Sequence, residues 1–235
     1  MNNTDSANAG SLHALVRRQF ENVTLINADC LDCLPIEADA VVTDPPYGIA
    51  FKHSGISYGL GGKSKTDTII GDDKPFDPAP WLQYKLVLMW GADHYARRLP
   101  EGRWLVWDKL GGRDGFGDSF SDAEVAWANK KGAMRIHRRM WKGLLREGTD
   151  RAEARHHVSQ KPVELMAWCL DQLKVPMGAT VLDPYMGSGS TGLACIRTGR
   201  KFVGIEKDPK HYATAVERIS RELEQGVLLP SNEKS

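Results

Sequence analysis

Cysteine is scarce in this chain of 235 residues: Cys30, Cys33, Cys169 and Cys195 are too few and too unevenly placed for a disulfide framework. Cys30 and Cys33 have the C-x-x-C spacing of zinc and redox motifs. No second close pair completes a tetrahedral site and no neighbouring base lowers a thiol pKa, so they read as small buried side chains and no metal is expected. No apolar run approaches the roughly 20 residues of a bilayer span, and the polar start Met1–Gly10 lacks the apolar stretch of a signal peptide. A cytoplasmic protein is the expectation. Internal repeats are absent. Neither sign of charge dominates, because 31 Lys and Arg face 30 Asp and Glu for a net +1, a balance that argues neither for nor against nucleic acid.

What is present fits one globular core with an embellishment. The chain is long for one average domain and short for two, and 41% apolar with 26% charged residues is ordinary for a folded protein. Charge distribution says more than its sum. Between Lys130 and Arg155 nine Lys or Arg meet three acids, with Trp141 among them, and this is the best candidate for a phosphate-contacting surface. Residues 1–10 and 226–235 read as flexible tails flanking a single domain over 11–225. Residues 11–20 read as a short helix capped by Ser11, and 51–80, rich in Gly, Lys, Ser, Asp and Pro, as a long mobile loop.

Short apolar runs predict strands at 23–26, 40–43, 86–90, 104–107, 124–128, 180–182 and 202–205. Helical spacing predicts helices over 93–99, 161–173, 191–197 and 210–224. Strands alternating with helices imply an α/β protein with a mostly parallel sheet covered on both faces. Ligands bind such sheets at the carboxyl ends of the strands, where Asp29, Asp44, Asp183 and Glu206 fall. Four acids at four strand ends point to one crevice.

Within TVLDPYMGSGSTGLACIRTGRKFVGIEKD, Gly187, Gly189 and Gly192 form G-x-G-x-x-G, and Glu206 follows Gly187 by nineteen residues. The turn says that backbone approaches a ligand closely and that an acid ending the next strand can accept hydrogen bonds from ribose hydroxyls. Nicotinamide dinucleotides and S-adenosylmethionine both contain adenosine, so an NAD-dependent oxidoreductase stands as a rival. Asp183, placed between strand and glycines, meets a pyrophosphate unfavourably and suits a methionine ammonium.

Asp44-Pro45-Pro46-Tyr47 follows the buried run AVVT. Two prolines end the strand and fix a rigid loop, holding the Asp44 side chain and the Pro45 carbonyl as neighbouring acceptors, with Tyr47 as an aromatic face beside them. An exocyclic amine of adenine or cytosine is a poor nucleophile because its lone pair is delocalised into the ring. Acceptors on both N–H bonds favour a pyramidal nitrogen able to attack a methyl group, while Tyr47 stacks on the flipped base.

These segments together resemble the beta class of DNA amino-methyltransferases, in which DPPY precedes the cofactor motif. The resemblance runs from about Val23 to Leu223. It implies a Rossmann-like, doubly wound methyltransferase sheet of seven strands, with a target-recognition segment at 111–155. NADCLDCLP resembles the segment ahead of the catalytic strand and implies that Asp29 contacts the cofactor adenine. His157–Pro162, HVSQKP, is similar to H-P-T-Q-K-P, whose polar residues face the methionine end; Val158 departs from the pattern. DPYMGSGST resembles D-P-F-x-G-S-G-T, with Tyr185 for phenylalanine. The implied S-adenosylmethionine site comprises Asp29, Asp44, His157, Ser159, Lys161, Asp183, Tyr185, Gly187, Ser188, Gly189, Glu206 and Lys207, and the catalytic set is Asp44, Pro45, Pro46 and Tyr47. Arg135, Arg138, Arg139 and Lys142 are the candidates for phosphates or a guanine edge of double-stranded DNA.

Carbon-5 cytosine methylation is excluded, since resembling families place its nucleophile after proline and no Pro-Cys pair occurs. The family association of DPPY with adenine and SPPY with cytosine favours N6 of adenine, with N4 of cytosine the alternative. Methylation of RNA or of a protein amide, and a catalytically silent DNA-binding module, remain as further classes; amide methyltransferases typically carry NPPY after the cofactor motif. The recognition sequence, dimerisation and a restriction partner are left open.

Overall fold

The computed structural model describes residues 16–49, 70–115, 121–142, 145–146 and 160–228. Its centre is a nine-stranded sheet rather than the seven strands expected. In chain order the strands are β1 (Val16–Gln19), β2 (Val23–Asn27), β3 (Ala40–Thr43), β4 (Leu86–Trp90), β5 (Arg103–Asp108), β6 (Ala123–Ala128), β7 (Arg135–Arg138), a separate hairpin β8 (Trp141–Lys142) and β9 (Leu145–Arg146), then β10 (Thr180–Asp183) and β11 (Lys201–Glu206). The α-helices are α1 (Val163–Leu173), α2 (Ser190–Arg197) and α3 (Pro209–Leu228). Spatial order is β1-β2-β11-β10-β3-β4-β6-β5-β7. Seven of the nine strands run one way; β1 and β6 oppose them.

Central strands are largely apolar because they are covered on both faces. Val41, Val42, Val87, Leu88, Met89, Trp90, Val181 and Leu182 are all inaccessible to solvent. The three α-helices among the described residues lie on one face. There α1 contributes Leu165, Met166, Cys169, Leu170 and Leu173 against Val42, Leu88 and Trp90. Truncating one of these leucines to alanine costs about 2–5 kcal/mol in transfer and cavity terms. The other face is covered by irregular chain: Phe76, Trp81, Ala92 and Tyr95 pack on Val41, Val87, Met89, Trp127, Leu182 and Ile205. The helix expected at 93–99 is a kinked 3-10 segment, Ala92–Arg98. α1 begins one residue beyond Pro162, which caps it.

One expectation is corrected. Residues 16–19 are not helical but form an edge strand paired antiparallel with β2, Val16 opposite Asn27 and Gln19 opposite Thr24. Sequence-adjacent pairing through the turn at residues 20–22 wins over helical propensity in a segment too short to bury a helical face. Within 111–155, ten residues belong to the main sheet, six in β6, where a strand was expected, and four in β7. β6 sits between β4 and β5, and β7 extends the far edge in register with β5, Leu105 opposite Arg135. The terminal segments 1–10 and 229–235 and most of the loop read at 51–80 fall outside the described residues. Among the described residues no helix is long and apolar enough to cross a membrane, and no cluster of His, Cys, Asp and Glu could hold a metal ion.

Candidate active site

β2, β11, β10 and β3 are consecutive parallel neighbours, so their carboxyl ends open on one crevice, and Asp29, Glu206, Asp183 and Asp44 stand there in that spatial order. The glycine turn fills its middle. Gly187 has φ +51°, and a side chain built on it would meet nothing within 4 Å, so its backbone faces open space that a ligand can enter. Gly189 has φ +83° and packs on Ala215 and Ile219 of α3, and Gly192 lies against Phe202 and Ile219. These two serve close helix packing.

Glu206 accepts hydrogen bonds from the Gly187 N–H at 2.9 Å through Oε2 and the Asp208 N–H at 2.8 Å through Oε1. Each oxygen keeps a second lone pair for a hydroxyl. Burial pushes its carboxyl up from the usual range, and the two backbone donors offset part of that. Asp29 caps the 3-10 turn Cys30–Cys33 through the Leu31 N–H at 3.0 Å and pairs with Lys207 at 2.9 Å. Burial alone would raise the Asp29 carboxyl, but Lys207 and the Leu31 N–H outweigh it and hold the pKa below its ordinary value. Tyr185 packs edge-on against Phe76 and Trp81, with centroids 5.9 Å away in each case.

Two expected ligands of a cofactor are turned inward. Ser188 receives Arg218 of α3 on both its carbonyl, at 2.6 Å, and its hydroxyl, at 3.0 Å. The Asp183 carboxylate is only 3% exposed, accepting the hydroxyls of Thr43 and Thr191 at 2.6 Å each and the Tyr185 N–H at 3.1 Å. Those donors make it a brace joining β3, β10 and α2. Burial pushes its pKa up to about 6 despite them.

At the end of β3 the strand stops at Thr43 and the two prolines turn the chain. Asp44 Oδ1 accepts the Tyr47 hydroxyl at 2.5 Å, and Oδ2 accepts the Lys161 ammonium at 2.6 Å. The Tyr47 ring stacks on His94, centroids 4.9 Å apart and 19° from parallel, and lies so close to Gly91 that a side chain there would be 2.0 Å from Cε1. Lys161 also pairs with Glu124 at 2.9 Å, and Glu124 with Lys109 at 3.1 Å. Burial raises the Asp44 carboxyl, an effect Lys161 only partly reverses. Burial would likewise raise Glu124, but Lys161 and Lys109 together hold it down at about 2. Desolvation would lower the Lys161 ammonium, and its two carboxylates reverse that and raise it.

Glu124, Lys109, His94 and Gly91 were not among the residues expected here from sequence. The one signal for Glu124 is an acid near the start of an otherwise apolar strand, AEVAWA. Lys161, expected at the cofactor, stands against Asp44, which belongs to the same expected set. His157 and Ser159 lie outside the described residues. Of the four cations assigned to DNA, Arg135 and Arg138 are exposed, Arg138 lying 3.6 Å from Asp108. Arg139 is a correction: consecutive side chains leave a strand on opposite faces, and it turns inward to 8% exposure and pairs with Glu164 of α1. The Lys142 side chain is outside the described part.

The comparison with known families bears on the half of this site contributed by the second part of the chain. Residues 119–217, from Glu124 through Lys161, the glycine turn and Glu206, match the family model of N6 and N4 methylases, described as DNA methylase. The matched span is 99 of the 235 residues, and over it the chain is similar to that family. The matched span excludes Asp44, so the DPPY turn stands on its own geometry. In methylase relatives the likeness reaches further. The protein bearing the name methylase YubD in Escherichia coli (strain K12) is 26% identical over 223 residues, 83% of this chain and 92% of that protein. The type II methyltransferase M.Cfr9I of Citrobacter freundii is 39% identical over 66 residues, 28% of this chain and 22% of its own. Among solved structures, the complex of M1.HpyAVI with SAM shares the fold at a TM-score of 0.52 and 23% identity, over 84% of this chain and 98% of that one.

Proposed function

We propose that this protein is an N6/N4 DNA methylase that transfers a methyl group from S-adenosylmethionine to the exocyclic N6 of a flipped adenine in double-stranded DNA. The observation that carries the reading is the hydrogen bond from Thr43 to Asp183, which ties the residue before Asp44 to the strand end before the glycine turn. Through it, amine acceptors and cofactor turn are held side by side. The open backbone at Gly187 and the free lone pairs of Glu206 fit the adenosine part of the cofactor, with Asp29 and Lys207 at its adenine end. Bound there, the cofactor supplies an electrophilic methyl on a sulfonium.

The chain's own residues do the rest. Asp44 and the Pro45 carbonyl accept the two N–H bonds of the target amine and pyramidalise its nitrogen. Tyr47 offers its ring to the base outside the duplex. Asp44, whose affinity for a proton burial raises, stands where the nitrogen sheds one after the new C–N bond forms. Arg135 and Arg138 contact the DNA backbone or a guanine edge. N4 of cytosine would be served by the same acceptors, and the DPPY spelling favours adenine. Labelled cofactor with genomic DNA, followed by mass spectrometry of the nucleosides, distinguishes the two: N6-methyladenine is expected, and N4-methylcytosine alone would overturn the base assignment. Asp44→Ala is expected to abolish transfer while cofactor binding by calorimetry persists; full turnover by that variant refutes the role of Asp44.

A further inference from the structure

The reading above needs Asp44 to accept a hydrogen bond from the target amine, yet both its oxygens are engaged. Oδ1 holds the Tyr47 hydroxyl and Oδ2 holds Lys161. Each oxygen keeps a second lone pair, but in this largely buried site a seated donor crowds the arriving amine, and moving one aside clears its approach. Tyr47 has its ring seated on Gly91 and stacked on His94, and its hydroxyl has Asp44 as acceptor. Lys161 is different. Its ammonium touches a second carboxylate, Glu124, at 2.9 Å, so releasing Asp44 does not strand a buried charge. Glu124 is itself fixed from behind by Lys109 at 3.1 Å. The chain Lys109, Glu124, Lys161, Asp44 alternates in sign.

We propose that Lys161 is a built-in substitute for the target amine, a nitrogen donor occupying Asp44 until the flipped base displaces it, and that Glu124 is the positioning residue that then holds the lysine. The inference rests on the methyltransferase reading and deepens it. The alternation keeps the Asp44 carboxylate from standing buried and unpaired, at a cost that would otherwise disorder the turn. Displacement has a second effect. Once the cation moves to Glu124, Asp44 loses the neighbour that most favours its ionised form, at the stage when the methylated nitrogen has a proton to give up. Lys161 thus acts on the reaction by leaving.

The test is Glu124→Gln, which leaves Asp44 as the single carboxylate beside Lys161 and holds the lysine on the amine site. KM for a duplex containing the target is expected to rise on the order of tenfold, with kcat at saturating DNA changed far less. Fluorescence of 2-aminopurine placed next to the target adenine, which rises when the adenine leaves the stack, should fall in the same proportion, reporting fewer extrahelical bases. Adding Lys161→Met removes the competing ammonium, so the double variant should regain much of the lost affinity. A fall in kcat with KM unchanged, or a double variant no better than Glu124→Gln, overturns the proposal. Should Glu124→Gln fail to fold, the unaltered protein crystallised with duplex and sinefungin decides: Lys161 on Glu124 and away from Asp44 supports it, and Lys161 still on Asp44 refutes it. Absence of any methyl transfer to DNA by the unaltered protein would instead sink the methyltransferase reading, and the inference with it.

Discussion

Thr191→Val tests the brace that holds the two motif loops together. Valine keeps the volume and removes one of the two hydroxyls on the Asp183 carboxylate, a 2.6 Å bond in a site 2% exposed at Thr191 and 3% at Asp183. A hydrogen bond to a buried charge is worth roughly 1.5–3 kcal/mol, and one to a neutral group about 1 kcal/mol. Which of these is lost depends on pH. The folded pKa is raised from 3.8 to about 6. A raised carboxyl contributes stability fully present below the unfolded value and lost as pH rises through the folded one, here a fall of roughly 3 kcal/mol between about pH 4 and pH 6. Above that window Asp183 is ionised and Thr191 matters most. Urea unfolding should therefore show the variant less stable by about 2 kcal/mol at pH 8 and by about 1 kcal/mol at pH 5, with an unchanged m value. Equal losses at the two pH values would refute the ionisation argument, and no loss at either would refute the brace.

Gly91→Ala places a methyl group 2.0 Å from the Tyr47 ring at φ +64°. Single-turnover methyl transfer should slow by at least an order of magnitude, beyond the roughly 1–2 kcal/mol cost of left-handed backbone, while calorimetric cofactor affinity holds. Glu206→Ala is expected to do the opposite, weakening cofactor binding on the order of tenfold or more through the lost ribose acceptor and the released Gly187 N–H. Arg135→Ala and Arg138→Ala should each weaken duplex binding and reduce its salt slope by about 1. Arg139→Ala should leave that slope unchanged and lower the melting temperature, since its charge is spent on Glu164.

Much of this architecture was legible because buried parallel strands are written as apolar runs. AVVT, LVLMW and TVLD could hardly be anything else, and the acids after them mark the carboxyl edge without any coordinates. Edge strands leave no such trace. VRRQ and RIHR carry charges on an exposed rim, and what makes them strands is the neighbour they pair with. The site divided along the same line. Asp44, Gly187 and Glu206 announce themselves by local spelling, whereas Lys161 reaches Asp44 across 117 positions of sequence. Asp183 is legible as a strand-end acid, but the hydroxyls that orient it, from Thr43 and Thr191, lie 140 and 8 positions away and are not.

The reversal of β6 has an evolutionary consequence. An antiparallel strand enters the sheet at the edge where its neighbours finish, so the link between β5 and β6 joins them on the same side as the reacting groups. Its ends are pinned by six paired positions, from Arg103 with Ala128 to Asp108 with Ala123. The tip of that hairpin can be lengthened, shortened or exchanged without disturbing the pairing beneath it. Such changes leave Asp44 and its partners where they are.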